Sequence, residues 1–152
     1  MNRIKQILVS LLVVVLAASC ASNTGPDKNP EVKFKATLNS ANQIQVPRVI
    51  SSATGTMEGV YNKDKKTMAY TVTFTGLVPT VAHFHNAPSF QNGLIVKDLG
   101  RPTGNTYNGS VELSQKEEND LFAGNWYVNL HTTAHPAGEI RGNLIFADYT
   151  GR

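Results

Sequence analysis

The sequence predicts an all-β protein, an antiparallel sandwich or barrel of seven or eight strands with one short helix near residues 115–123. Three observations lead there. Short runs alternate apolar with polar residues, beginning with Val32, Phe34, Ala36 and Leu38 against Lys33, Lys35 and Thr37, and that alternation marks a half-buried strand. Clusters of Gly, Pro, Asn and Asp separate the runs at regular spacing, as in a sandwich. Only one segment, opening at Ser114, carries the start signal of a helix.

The first 19 residues differ in kind from the rest. Arg3 and Lys5 precede an apolar run over residues 7–16, and Ala17-Ala18-Ser19 supplies small residues just before Cys20, the pattern of a secretory signal peptide. A membrane-spanning helix needs about 20 apolar residues, so this run is too short to serve as one. Residues 16–20, Leu-Ala-Ala-Ser-Cys, resemble a bacterial lipobox, which implies that Cys20 is acylated and becomes the new N-terminus. Ala17 stands where the commonest lipobox has leucine. Each buried CH2 of such chains contributes about 0.8 kcal/mol, so two or three chains hold a protein to a membrane stably. Residues 20–31 then read as a lipidated flexible tether without apolar periodicity.

The domain is expected over residues 32–152. A strand from Val32 to Leu38 leads through a loop at 39–42 into an extended segment, 43–49, in which Pro47 restricts pairing to an edge or bulge. Residues 55–61 and 68–74 are a strand pair joined by the polar loop 62–66, whose charges read as a solvated tip. A strand over 81–85 follows Pro79. Residues 86–93 are a loop, 94–99 an apolar run expected to be a buried strand, 101–108 a second loop and 109–113 a short strand. Ser114-Gln115-Lys116-Glu117 matches a capping box, Leu121 and Phe122 supply the helix's core contact, and Gly124 is placed to end it. The last hairpin runs over 126–131 and 139–146, with one of Trp126 and Tyr127 in the core and the other facing outward beside His131.

Charge and composition narrow the function. Removing the leader lowers the basic count from 14 to 12 against 11 acidic residues, a net charge of about +1. No basic stripe interleaved with aromatics remains, so nucleic acid is not an expected partner. The single cysteine leaves no internal disulfide. No Gly-x-Ser-x-Gly, phosphate loop or dinucleotide fingerprint is present.

The residues able to do chemistry are few. In a strand, residues two apart share a face, so His83 and His85 project together while Phe84 points to the opposite layer. Two such imidazoles can hold a metal ion at about 2.0–2.1 Å, with His131 as third ligand if its strand lies alongside. Three histidines with an open position suit one copper or zinc ion. The other reading is that these imidazoles bond loop carbonyls and cap the end of the sandwich. His135 lies in the turn and is not an expected ligand. Glu139 and Arg141 share a face and can pair with each other or brace the 86–93 loop, a structural role rather than a catalytic one. Gly138 and Gly142 suit a tight turn and a bulge.

The chain over about 34–146 resembles a CHRD domain, the module named after chordin. The resemblance lies in Ala36-Thr37-Leu38 followed by Gln45-Val46-Pro47, in Gly55, in Ala82-His83-Phe84-His85 with Pro88 and Asn92-Gly93, and in Tyr127-Val128-Asn129-Leu130-His131-Thr132 leading to Pro136-Ala137-Gly138-Glu139-Ile140-Arg141-Gly142. It departs from the family pattern at His135, where Asn is more usual, and at Gln45-Val46, where an acidic residue commonly intervenes. The resemblance implies an exported, immunoglobulin-like or superoxide-dismutase-like sandwich and no particular reaction. A dimetal dismutase site uses six histidines and an aspartate. With four histidines, this chain has material for at most one mononuclear site.

The expected function is that of a lipid-anchored extracytoplasmic module of the cell envelope, non-enzymatic, either structural or binding a protein, small ligand or metal through His83, His85, His131, Glu139, Arg141 and Tyr127. Its rival is a mononuclear copper or zinc metalloprotein, an enzyme included. By resemblance to lipoprotein sorting signals, Ala21 after the cysteine, in place of aspartate, points to the outer membrane.

Overall fold

The computed structural model describes residues 29–148. The leader, Cys20 and most of the 20–31 tether lie outside them. The elements are β1 (Glu31–Asn39), a 3-10 turn (Ser40–Asn42), β2 (Thr54–Asn62), β3 (Thr67–Thr75), β4 (Val81–Asn86), β5 (Leu94–Asp98), β6 (Thr106–Glu112), α1 (Gln115–Phe122), β7 (Trp126–His131), β8 (Ile140–Asn143) and β9 (Ile145–Phe146). One sheet runs β5-β4-β7-β8-β1-β2-β3-β6, with β9 also on β1, and the pairings are antiparallel.

The sheet is long enough to fold over on itself, because its alternating faces leave one apolar side to bury. Phe84 on β4 meets Tyr70 on β3 edge-on, ring centroids 5.1 Å apart, which places β5-β4-β7-β8 over β1-β2-β3-β6. Between the two layers lie Phe34, Leu38, Met57, Val72, Phe84, Trp126, Val128 and Leu130, all at most 2 % exposed. Aliphatic and aromatic side chains of this size each stabilise by about 1.5–3 kcal/mol when removed from water.

The β2–β3 hairpin turns where Asn62 Oδ1 accepts from the N–H groups of Asp64 and Lys65 at 3.1 and 2.9 Å. Its tip is solvated at residues 63–65, as the sequence suggests, but Lys66 is not free. Its Nζ bonds Glu118 Oε2 at 2.6 Å and ties the tip to α1. The helix starts with the predicted capping box: Ser114 N–H donates to Glu117 Oε2 at 2.8 Å, and Glu117 N–H to Ser114 Oγ at 3.3 Å. Leu121 is fully buried, and Phe122 packs edge-on against Phe34 and Tyr61, both at 5.7 Å.

Three expectations are corrected. The apolar run 94–99 is not a buried strand: β5 is an edge of the sheet, with Leu94 84 % and Ile95 55 % exposed, and only Leu99 beyond it is buried. Apolar content cannot tell a central strand from an edge, since that depends on which neighbours the topology supplies. The second loop ends earlier than expected, because β6 begins at Thr106 to pair Thr73. Residues 43–49 are irregular and join no ladder. Among the described residues, no helix is long and apolar enough to cross a membrane.

Candidate metal centre

Strands β4 and β7 are neighbours, with Val81 opposite His131, His83 opposite Asn129 and His85 opposite Tyr127. Opposed residues of an antiparallel pair project to the same side, so the three histidines share a face with Tyr127 and Asn129. Phe84, Val128 and Leu130 face the core. The histidines therefore sit on the outward face of the β5-β4-β7-β8 layer, not capping an open end of the sandwich. Trp126 is the core member of its pair. Tyr127 lies on the outward face beside His85 rather than beside His131, with the rings stacked at 4.8 Å and only 5° from parallel. It is nevertheless 2 % exposed.

That outward face is covered by loops. Gln43 Nε2 donates to Asn129 Oδ1 at 2.6 Å, Gln45 Nε2 to Gly138 O at 2.8 Å, and Asn92 Nδ2 to Ile44 O at 2.8 Å. From β8, Arg141 reaches the 86–93 loop, Nη2 donating to Gln91 O at 3.0 Å and Nη1 to Asn92 Oδ1 at 3.3 Å. Its Cζ lies 3.4 Å above the centre of the Tyr127 ring, a cation–π contact. Arg141 thus braces the 86–93 loop and makes no pair with Glu139. The Glu139 carboxylate instead accepts from Ser51 Oγ and Thr132 Oγ1, both at 2.6 Å. Burial acts to raise its pKa, and those hydrogen bonds, with His135 nearby, outweigh burial and hold it below the usual value.

One nitrogen from each of His83, His85 and His131 lies within 4.8 Å of the others. His83 Nδ1 and His131 Nε2 are 3.3 Å apart. Ligand nitrogens about 2.0–2.1 Å from one tetrahedral ion stand roughly 3.4 Å from each other, so the trio would close by up to roughly 1.4 Å around an ion. The tautomers are set from outside: His85 Nδ1 donates to Gly93 O at 3.1 Å and His131 Nδ1 to Pro136 O at 2.9 Å. Each bond leaves an Nε2 lone pair on the far side of the ring, the arrangement by which backbone carbonyls orient metal-binding histidines. His85 Nε2 is buried and has no hydrogen-bond partner. Burial pushes the His85 pKa down to about 4, with the Gly93 carbonyl opposing the fall and His131, His83 and Arg141 adding to it. Burial likewise lowers His131, against the pull of the Pro136 carbonyl. Both rings are neutral at pH 7 and able to ligate.

Three positioning residues escape a reading of the histidines alone. Gly93 serves two rings from one residue, its carbonyl accepting from His85 and its N–H donating to Tyr127 Oη at 3.0 Å. A side chain there would collide with the Asn86 carbonyl. Asn129 and Gln43 link the face to its roof. The period-two pattern Tyr127, Asn129, His131 carries the signal for Asn129, and nothing local singles out Gln43. His135 is half-buried and outside the trio.

The family model for the CHRD domain matches residues 34–144. No curated protein and no solved structure matches the chain.

Proposed function

The chain belongs to the CHRD domain family, and on that footing we propose that it is an exported, lipid-anchored binding module whose ligand is a single copper or zinc ion held by His83, His85 and His131. The observation that carries this reading is His85 Nε2, a buried nitrogen without a partner that faces two other imidazoles while Gly93 holds its opposite edge. Leaving a buried polar atom unsatisfied costs about 1–3 kcal/mol, and a metal ion bound there removes that cost. A purely structural role accounts for the bonds to Gly93 and Pro136; Tyr61, Tyr107, Trp126 and Arg141 also carry buried unpartnered atoms, and what sets His85 apart is the two imidazoles beside it. Anchoring through Cys20 rests on the lipobox resemblance, and export is supported by the leader and by the extracellular character of this domain type. The outer membrane is the proposed location.

The trio offers three imidazole donors and, among the described residues, no carboxylate or thiolate beside them, which suits a metal that is delivered, stored or presented. In this reading Tyr127, Glu139 and Arg141 position the loops and take no part in chemistry. A protein partner is favoured by a separate observation. Val46, Ile50 and Phe90 are 101 %, 90 % and 88 % exposed on the two loops that roof the site, and large exposed apolar side chains beside a site are candidates for a contact surface.

The test uses the tag-free mature chain carrying Cys20→Ser to keep it soluble. Metal content and thermal midpoint are measured with added copper or zinc, for this protein and for His83→Ala. One equivalent bound with a raised midpoint, both lost in the variant, is the expected result. No uptake and no shift would remove the metal reading, and a variant destabilised without metal would favour a structural role.

A further inference from the structure

Taking the three-histidine site as the metal centre, we propose that it selects copper(I) over divalent ions, and that the selection is made by charge. The ligand set is neutral, and among the described residues no carboxylate belongs to the cluster. Asp98, cross-strand from His83, is exposed and accepts from Gly100 N–H at 2.7 Å. Glu139 is engaged with Ser51 and Thr132.

The charge that is fixed nearby is positive. Arg141 is 1 % exposed, forms no ion pair among the described residues, and has a buried Nε without a partner. Its guanidinium lies 3.4 Å over Tyr127, whose ring lies 4.8 Å from that of His85. Strands β8, β7 and β4 thus carry a stack of cation, phenol and imidazole, and the positive charge is no farther from the His85 ring than the sum of those two steps. Its Nη groups point to Gln91 O and Asn92 Oδ1, so it is committed to the loop rather than aimed at a fourth ligand.

Three consequences act in the same direction. A fixed cation repels a dication twice as strongly as a monocation at the same place. The cost of transferring an ion from water grows with the square of its charge, and His85 and His131 are 7 % and 8 % exposed. Zinc completes a four-coordinate shell, which here needs a further ligand brought in from solvent, whereas copper(I) is content with three donors or fewer. Imidazole suits several metals, so donor softness does not make the choice in a site without sulfur.

The experiment takes the mature chain with Cys20→Ser. Copper(I) is titrated anaerobically against bicinchoninate, and copper(II) and zinc(II) are titrated against chelators of their own at the same pH. One copper(I) per chain, bound at least tenfold more tightly than either divalent ion, is expected. Arg141→Met should cut the copper(I)-to-copper(II) ratio by about tenfold, a fall of about 59 mV in the potential of the bound couple. Zinc(II) or copper(II) bound as tightly as copper(I) would overturn the selection and leave the metal site standing. Failure of all three to bind would overturn the site itself. A folded Arg141→Met with an unchanged ratio would overturn the electrostatic origin, and if that variant does not fold, the affinity order of the unaltered protein decides.

Discussion

Mild acid should weaken the metal-free protein in a window that its carboxylates do not share. His85 has a folded pKa of about 4 against an ordinary 6.5. Between those values the unfolded chain binds the proton and the folded chain does not, so stability rises with pH. The contribution is complete above 6.5 and is lost as pH falls toward 4. At about 1.36 kcal/mol for each unit of displacement, the full loss is about 3 kcal/mol. Integration from pH 7 to pH 5 gives a loss of about 2 kcal/mol, and His131, displaced the same way, adds to it. Glu139, Glu117, Glu118 and Asp120 are all displaced below their usual values, so their contributions fade only below about pH 4.5. The assay is urea denaturation with EDTA present at pH 7 and pH 5, comparing the unaltered chain with His85→Gln. A loss of about 2 kcal/mol or more is expected for the former, and a loss smaller by about 2 kcal/mol for the variant. Stability that is level across this range, or equally steep in His85→Gln, would refute the claim that burial keeps His85 neutral.

Other substitutions probe the scaffold. Gly138 has φ +119 and a Cβ there would collide with the amide of Asn129. Gly138→Ala should therefore lower stability by about 1–3 kcal/mol in denaturant titration, and no loss would remove the strained-turn argument. Gly93→Ala should displace the backbone at residue 93 that bonds both His85 and Tyr127, visible as altered imidazole resonances in NMR spectra even if the protein remains folded. Unchanged His85 resonances would contradict the positioning role. Ser114→Ala removes one side of the capping box and should cost about 1 kcal/mol. Leu121→Ala, at a fully buried position, should cost about 2–5 kcal/mol, and a smaller loss would show that α1 is not seated on the core.

Local pattern made β1, β2, β3 and α1 legible, because each announces itself within its own residues. The alternation from Val32 to Leu38 emerges as buried Phe34, Ala36 and Leu38 against exposed Lys33, Lys35 and Thr37, and Ser114 and Glu117 close the box that their spacing implies. The site was half legible for the same reason. His-x-His guarantees a shared face, but convergence with His131 needs β7 beside β4, a pairing 48 residues apart along the chain that no local pattern encodes. The exposure of Leu94 and Ile95 is not legible locally for a similar reason, since being an edge is a property of the whole sheet. Arg141 illustrates the remaining gap. The sequence leaves open a pair with Glu139 or a brace on the 86–93 loop; the structure gives the brace, through two loop oxygens, and adds the Tyr127 face, which no local pattern encodes.

The most direct measurement is an X-ray absorption spectrum of the protein loaded with one equivalent of metal and freed of excess. Three imidazole nitrogens at about 2.0–2.1 Å are expected, falling to two in His85→Ala. A shell of oxygen neighbours, or a spectrum unchanged by that substitution, would show that His83, His85 and His131 do not meet around an ion.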